Sequence, residues 1–407
     1  MQDKTKFTLK ISKQTIVFII VLCILNAPSF IFEKLTFYRV NYASIYAPLV
    51  YGFDLLELIV CIWGVMCYRR KTGAINMYAI MFFVLLKDLM LFLLGKISPF
   101  STNSWEMYLC VIIGISICAI VCFWSKNESD VLKFLDYFVI INFIYQILFV
   151  FTGRVGSSGR VAAMSISFGA IGYTCALHVL YTLLAREKNK KNILIIIICV
   201  ISLILSGSRF NLVLLLLGIV VFSGVIFSTM NKKKRVVSMI TLGTIMLFFI
   251  SIMNIEQLQE KYEVINRIVM IFEGNILDNF NADASFQERI ESIELGIEII
   301  KDNPFGLSNS FADVHSHTVA RFFYSFPHSN VICYYLLWGL PFLVSLVWLV
   351  LCTLKAKKVG ENGVFCFLLY ILITFFIYGG LETSTKYYVY IFGIISVINI
   401  RLKKYTK

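Results

Sequence analysis

Apolar residues arrive in blocks close to twenty long, and polar residues are confined to the gaps between them. Twelve blocks can be read, near 16–32, 45–67, 74–95, 106–124, 134–151, 161–184, 193–206, 210–229, 236–253, 328–353, 363–380 and 387–400. As a helix, about twenty residues span the roughly 30 Å hydrocarbon core of a bilayer. Lipid offers no partners to bare backbone groups, so each block is expected to be a helix. The seventh is short, and either tilts, thins the bilayer or is partly re-entrant. One gap is long, 255–327. The predicted fold class is therefore all-α, a polytopic helical membrane protein of about twelve spans. Residues 1–254 carry the first nine spans, 255–327 form one large loop, and 328–407 carry the last three, all within one integrated membrane domain.

The long gap holds twelve of the 24 acidic residues and five arginines or lysines, and with His328 at its exit it gathers three of the four histidines. Charge also orients the chain. If the N-terminus faces the cytoplasm, 24 of the 37 lysines and arginines fall on that side, among them Arg69-Arg70-Lys71, the Lys232–Arg235 cluster and Lys355, Lys357 and Lys358. The positive-inside rule then places both termini in the cytoplasm and the long loop outside, in a multi-pass protein of the cytoplasmic membrane. The net charge of +13 follows from that topology and argues for no nucleic-acid partner. The eleven cysteines lie in or beside predicted spans, where they read as small apolar packing residues, and no CxxC spacing occurs. The first apolar block lacks a small-residue cleavage site and leads into a second, so no cleaved signal peptide is expected.

On the expected outer face, Ser206-Gly207-Ser208-Arg209 stands between spans seven and eight. Ser208 is placed to cap the next helix, whose first turn offers unpaired N–H groups, and Arg209 adds a fork suited to phosphate oxygens. Two readings stand for Arg209: an anion site, or an interfacial arginine that only snorkels. In the loop, Ser285-Phe286-Gln287-Glu288 reads as a capping box. Phe286, Ile290, Ile293, Ile297 and Ile300 then form an apolar stripe that Asn303-Pro304 and Gly306 end. Such a helix is expected to lie along the outer membrane surface. Its Arg289 either reaches a membrane-level phosphate or pairs with Glu288 or Glu291.

Further on, Asp313, His315, His317 and Arg321 precede Pro327-His328-Ser329-Asn330. His315 and His317 are two apart with no HExxH helix and no third ligand at a familiar spacing, so no metal is expected. His328 opens a span and is a candidate general base, or else an interfacial histidine bonded to loop backbone. Arg154 and Arg160 bracket a Gly/Ser-rich turn that can admit a phosphate or sugar acid, or is simply tight. Within the bilayer, Asp54 and Glu57 share a face of span two, and Lys87 lies at a similar depth in span three. A buried ion pair between those helices is the expected explanation, with an ion pathway as the sharper alternative. His178, in the inner half of span six, reads as packing.

Taken in order, Ser208-Arg209 at an outer helix junction, a late outer loop whose helix carries Arg289, then Asn303-Pro304-Phe305-Gly306, His328-Ser329-Asn330 and Trp338-Gly339-Leu340 resemble the O-antigen ligase/polymerase superfamily. Here a serine stands between His328 and Asn330. The resemblance implies a GT-C-like membrane glycosyltransferase that moves a glycan from a polyprenyl-pyrophosphate carrier to a sugar hydroxyl outside the cytoplasm. It implies Arg209, Arg289 and His328 as catalytic, with Arg160, Arg321, Ser208 and Asn330 binding substrate. No cofactor is implied, and the loop has no DxD-like pair. Membrane lipid, a flippase and chain-length regulators are the implied partners. The Lys-, Ile-, Asn- and Phe-heavy composition favours a polymerase of capsular or exopolysaccharide repeats. The alternatives are a ligase of the same superfamily, or a lipid-linked oligosaccharide flippase or transporter coupled through Asp54, Glu57 and Lys87.

Overall fold

In the computed structural model the described residues are 12–36, 55–67, 77–96, 103–153, 160–163, 166–228, 284–307, 329–379 and 384–405. Among them the architecture is entirely helical, with no strand and one isolated bridge between Ala163 and Ile166. The first half gives α1 (Lys13–Thr36), α2 (Leu55–Cys67), α3 (Met77–Leu93), α4 (Asn103–Trp124), α5 (Glu128–Phe151), α6 (Phe168–Ala185), α7 (Lys190–Leu205), α8 (Arg209–Val221) and the short α9 (Ser223–Ser228). After the long gap come α10 (Ala284–Asp302), α11 (Asn330–Trp338), α12 (Leu340–Lys358), α13 (Asn362–Ile377) and α14 (Thr385–Lys403). By length and composition α5, α6 and α12 suffice to cross a membrane, and α2, α8 and α13 are shorter apolar helices.

The bundle is organised around α6 and α14, which are buried along most of their length. Fully buried Tyr173, Tyr181 and Tyr390 fill the space between them and their neighbours. α6 packs on α7, α8 and α13, and α14 packs on α4 and α5. The outer helices invert the soluble rule. Phe82, Phe83 and Leu89 on α3, and Val344, Val347, Leu351 and Leu354 on α12, are exposed apolar side chains. Water would penalise that surface, whereas hydrocarbon does not distinguish it from its own tails. Helices hydrophobic all round, with polar groups turned inward, mark a membrane protein.

Two expectations change. The tenth span is not one helix. Gly339, at φ 61° and ψ −139°, breaks it into α11 and α12. The loop helix α10 begins at Ala284, ahead of the serine expected to cap it, and runs to Asp302. Its buried residues are Ser292, Leu295, Gly296 and Ile299, the helix packs on α11, and Ile290 and Ile297 are exposed. Of the isoleucine stripe read from the sequence, Ile293 and Ile300 are partly buried against the core, whereas Ile290 and Ile297 are not.

Candidate functional site

α8 starts after a tight turn at Ser206-Gly207, and Ser208 takes the position before its first residue. Its hydroxyl makes no capping bond to the helix backbone. Instead it accepts from the side chain of Asn211, with Nδ2 at 2.7 Å. That nitrogen also lies 3.1 Å from the Gly169 carbonyl at the start of α6 and 3.2 Å from the Tyr378 hydroxyl. A carbonyl can only accept, so the Gly169 contact fixes which way the Asn211 amide is turned. Its Oδ1, buried with the rest of the side chain, has no hydrogen-bond partner.

Tyr378 follows α13 and is clamped between two rings, Tyr173 at 5.0 Å and Phe210 at 5.9 Å between centroids. Its backbone carbonyl accepts the Asn330 N–H at 3.0 Å, at the first residue of α11. A Cβ on the next residue, Gly379, would stand 2.5 Å from the Asn330 nitrogen, so only glycine lets the chain leave α13 this close to α11. Ser329, before α11, makes no side-chain capping bond either. Asn330 is 1% exposed, and its Nδ2 has no partner. Two helix N-termini thus meet at one tyrosine, each with an unsatisfied amide atom in its first turn. A buried orphan of this kind costs about 1–3 kcal/mol.

Arg160 lies beside this cluster, its guanidinium carbon 4.8 Å over the ring of Phe168, the residue before Gly169. The neighbouring Val161 N–H bonds to Leu205 O at 2.9 Å, which ties that segment to the end of α7. Of the residues expected from the sequence, Ser208, through Asn211, and Asn330 meet at Tyr378, and Arg160 stacks on Phe168 next to Gly169. Arg209 is the first residue of α8 and Arg289 lies within α10, but their side chains fall outside the described residues. His328, Arg321, His315, His317, Arg154 and Asp54 fall wholly outside them. Sequence reasoning missed Asn211 and Tyr378. Each left a signal: a polar residue at the start of an apolar block, and an aromatic ahead of two consecutive glycines.

The Asn-Pro-Phe-Gly and Trp-Gly-Leu segments prove to be each other's docking surfaces. Leu307 N–H bonds to Leu336 O at 2.6 Å, and the Tyr335 hydroxyl donates to Pro304 O at 2.5 Å. Gly306 (φ 82°) and Gly339 (φ 61°) sit back to back in the left-handed region. A Cβ on Gly306 would lie 2.8 Å from Tyr335 O. Lys87 of α3 closes the junction, its ammonium donating to Leu307 O at 2.6 Å and Leu337 O at 2.5 Å and pairing with Asp88 at 2.8 Å. The expected partner, Asp54, lies outside the described residues; among them, Lys87 clamps two backbone turns and pairs with its helical neighbour. The clamp fixes α10, which carries Arg289, against α11, which carries Asn330.

A second polar cluster lies at the opposite end of α6. Asp136, fully buried on α5, receives Arg186 through both oxygens at 2.7 and 3.0 Å, Lys191 at 3.2 Å and His178 Nε2 at 3.1 Å. His178 Nδ1 lies 3.0 Å from the Tyr390 hydroxyl. The neutral imidazole donating from Nε2 and accepting from the tyrosine satisfies every contact. His178 is thus the hinge of a buried network, where the sequence suggested simple packing. Between the two clusters, Cys175 donates to Ser202 at 3.3 Å and Ser202 to Gln146, whose amide reaches Val161 O at 3.1 Å. Among the described residues no group of three His, Cys, Asp or Glu could hold a metal ion.

Residues 194–346 match the family described as O-antigen ligase. The matched segment is consistent with the O-antigen ligase/polymerase superfamily. The matched segment supplies Ser208, Asn211, Ser329 and Asn330, and it contains the α10–α11 docking junction. Arg160, Gly169 and Tyr378 come from outside it, so the cluster is completed by flanking helices. No curated protein matches the chain.

Proposed function

We propose that this protein polymerises polyprenyl-pyrophosphate-linked oligosaccharide repeats into a capsular, exopolysaccharide or O-antigen chain on the outer face of the cytoplasmic membrane. The observation that carries the reading is the meeting of the α8 and α11 first turns at Tyr378, inside a bundle of which one segment matches the O-antigen ligase family. Helix N-termini without side-chain caps present N–H groups at the positive end of the dipole, a ready site for phosphate oxygens. Both termini are proposed to be cytoplasmic, which puts this end of the bundle outside, where the activated sugar must arrive on a lipid.

Pyrophosphate is already a competent leaving group. The protein's part is to stabilise the negative charge that grows on it as the glycosidic bond breaks, and to present a hydroxyl to the anomeric carbon. Arg209, at the head of α8, and Arg289, on the clamped loop helix, are proposed to hold the diphosphate, with Ser208 and Arg160 beside them and Arg321 as a further contact. His328, immediately before the Ser329-Asn330 turn, takes the proton from the attacking hydroxyl or positions it. Attack opposite the leaving group inverts the anomeric carbon, and arginine does this work without a metal.

The family description favours one second reading, a ligase that delivers finished glycan to a different acceptor. One experiment addresses both. The purified protein is incubated in lipid with repeat units extracted from cells lacking it, and the glycan is sized. A ladder of extended chains is expected. Single units that are neither extended nor cleaved would remove the polymerase reading, and transfer only to a separate lipid acceptor would establish the ligase. Unchanged units moved across the bilayer would establish a flippase.

A further inference from the structure

The two asparagine side chains at Tyr378 differ in what they offer. Asn211 is turned by its Gly169 contact so that a carbonyl oxygen, a pure acceptor, is left over. No described hydrogen bond turns the Asn330 amide, which can present its N–H or its oxygen. A phosphate brings acceptor oxygens only, so it can use the Asn330 group but finds nothing to donate to Asn211. A hydroxyl both donates and accepts, and neighbouring hydroxyls on a sugar ring do so side by side. Unsatisfied atoms also occur within single helices, at Asn142 and on the consecutive residues Tyr181 and Thr182. Here they stand on two different helix starts, both bonded to a tyrosine whose ring is held between two others.

We propose that Asn211 Oδ1 and the Asn330 amide form a polyol site that reads hydroxyls of the acceptor sugar, separate from the cationic groups that hold the diphosphate. This rests on the transferase reading and deepens it, by dividing the site into a sugar-reading half and a phosphate-holding half. Both asparagines act as positioning residues. Asn211 is set by Gly169, Ser208 and Tyr378, and Asn330 by the carbonyl of Tyr378.

The discriminating variant is Asn330→Leu, similar in size and lacking the unpaired amide, with Asn330→Ala as its smaller counterpart should leucine disturb folding. Removing a buried group that has no internal partner removes a desolvation penalty and no bond. The full-length protein is therefore expected to melt at the same temperature or higher, while extension of repeat units isolated from cells lacking the chain falls about tenfold or more. Donor cleavage by water is expected to persist, so the ratio of extension to hydrolysis falls with it. Affinity for sugar-free polyprenyl diphosphate, read by direct binding, is expected to stay within about twofold. A lower melting temperature with unchanged extension would assign the amide a structural role and overturn the proposal. So would a loss of diphosphate affinity matching the loss of extension, because the amide would then serve the donor. If the unaltered protein neither extends the units nor binds the diphosphate, the transferase reading itself fails, a result separable from both.

Discussion

The two polar clusters at the ends of α6 share their ingredients and differ in completeness. At Asp136 both carboxylate oxygens are taken by Arg186, with His178 and Lys191 adding to them, and His178 is in turn bonded to Tyr390. At Tyr378 an amide oxygen and an amide nitrogen are left over in an equally buried setting. Burying polar groups is tolerable only when they are paired, and a saturated network rigidifies the helices that supply it. The Asp136 cluster therefore reads as a staple holding α5, α6, α7 and α14 in register. The Tyr378 cluster reads as a surface that is completed by something else. Within one bundle, the state of pairing distinguishes the two clusters.

The comparison breaks most sharply at the staple. Asp136→Ala strands an arginine and a lysine around an empty centre, and a broken buried ion pair costs about 3–5 kcal/mol. The expected outcome is a large drop in melting temperature and in folded yield, with activity per folded molecule largely kept. If activity is abolished in protein that melts normally, the division between the clusters is wrong. The converse holds at the site. Arg209→Ala is expected to lower transfer by about a hundredfold or more, the usual effect of losing one group that stabilises developing charge. Its melting curve should stay close to that of the parent.

The junction between α10 and α11 lies between these extremes. Lys87→Met removes the ammonium that serves the Leu307 and Leu337 carbonyls and leaves Asp88 without its cation. A loss of about 1–3 kcal/mol is expected, together with weaker transfer, because the helix that carries Arg289 is no longer fixed to α11. Protease sensitivity near residue 307, measured beside activity, tests whether the two losses arise together. No change in either would detach this clamp from the site.

The smallest effect belongs to Glu361, between α12 and α13. Burial alone would raise its carboxyl, but bonds from Tyr405 and Arg401 outweigh that and hold it below the ordinary glutamate value of 4.5. Because the folded carboxyl titrates lower than the unfolded one, its contribution is complete above about pH 4.5 and fades as pH falls through the folded value. Solvent screens the pair, so the contribution is under about 1 kcal/mol. Melting curves of the parent and Glu361→Gln should differ at neutral pH and converge in acid. Curves that stay parallel would assign the difference to packing.

Much of this was legible in the linear order of residues. The apolar blocks locate the helices because hydrocarbon and backbone chemistry leave them no other form. Asn303-Pro304 ends α10 because a proline cannot continue a helix and disfavours helical geometry in the residue before it. Ser208 lies at the head of α8 as its residue type suggests, but its hydroxyl serves Asn211 and not the backbone. That exchange depends on Gly169 and Tyr378, from helices distant in sequence, and nothing local to Ser208 announces it. Lys87 shows the same dependence on distant segments. The two carbonyls that it serves are released by turns at Gly306 and Gly339, and nothing in its own span announces them.

The chain by itself determined an all-helical membrane protein, because apolar blocks of bilayer length have one stable form, and it marked the Ser208-Arg209, Asn303–Gly306 and His328–Asn330 segments as unusual. Which polar atoms are satisfied and which are left over was decided only by the packing of α6, α8, α11 and α13. A hydrogen bond needs its partner within about 3 Å at a favourable angle, and such distances are set by helices meeting in space. The matched segment alone does not fix them, since Gly169 and Tyr378 lie on either side of it.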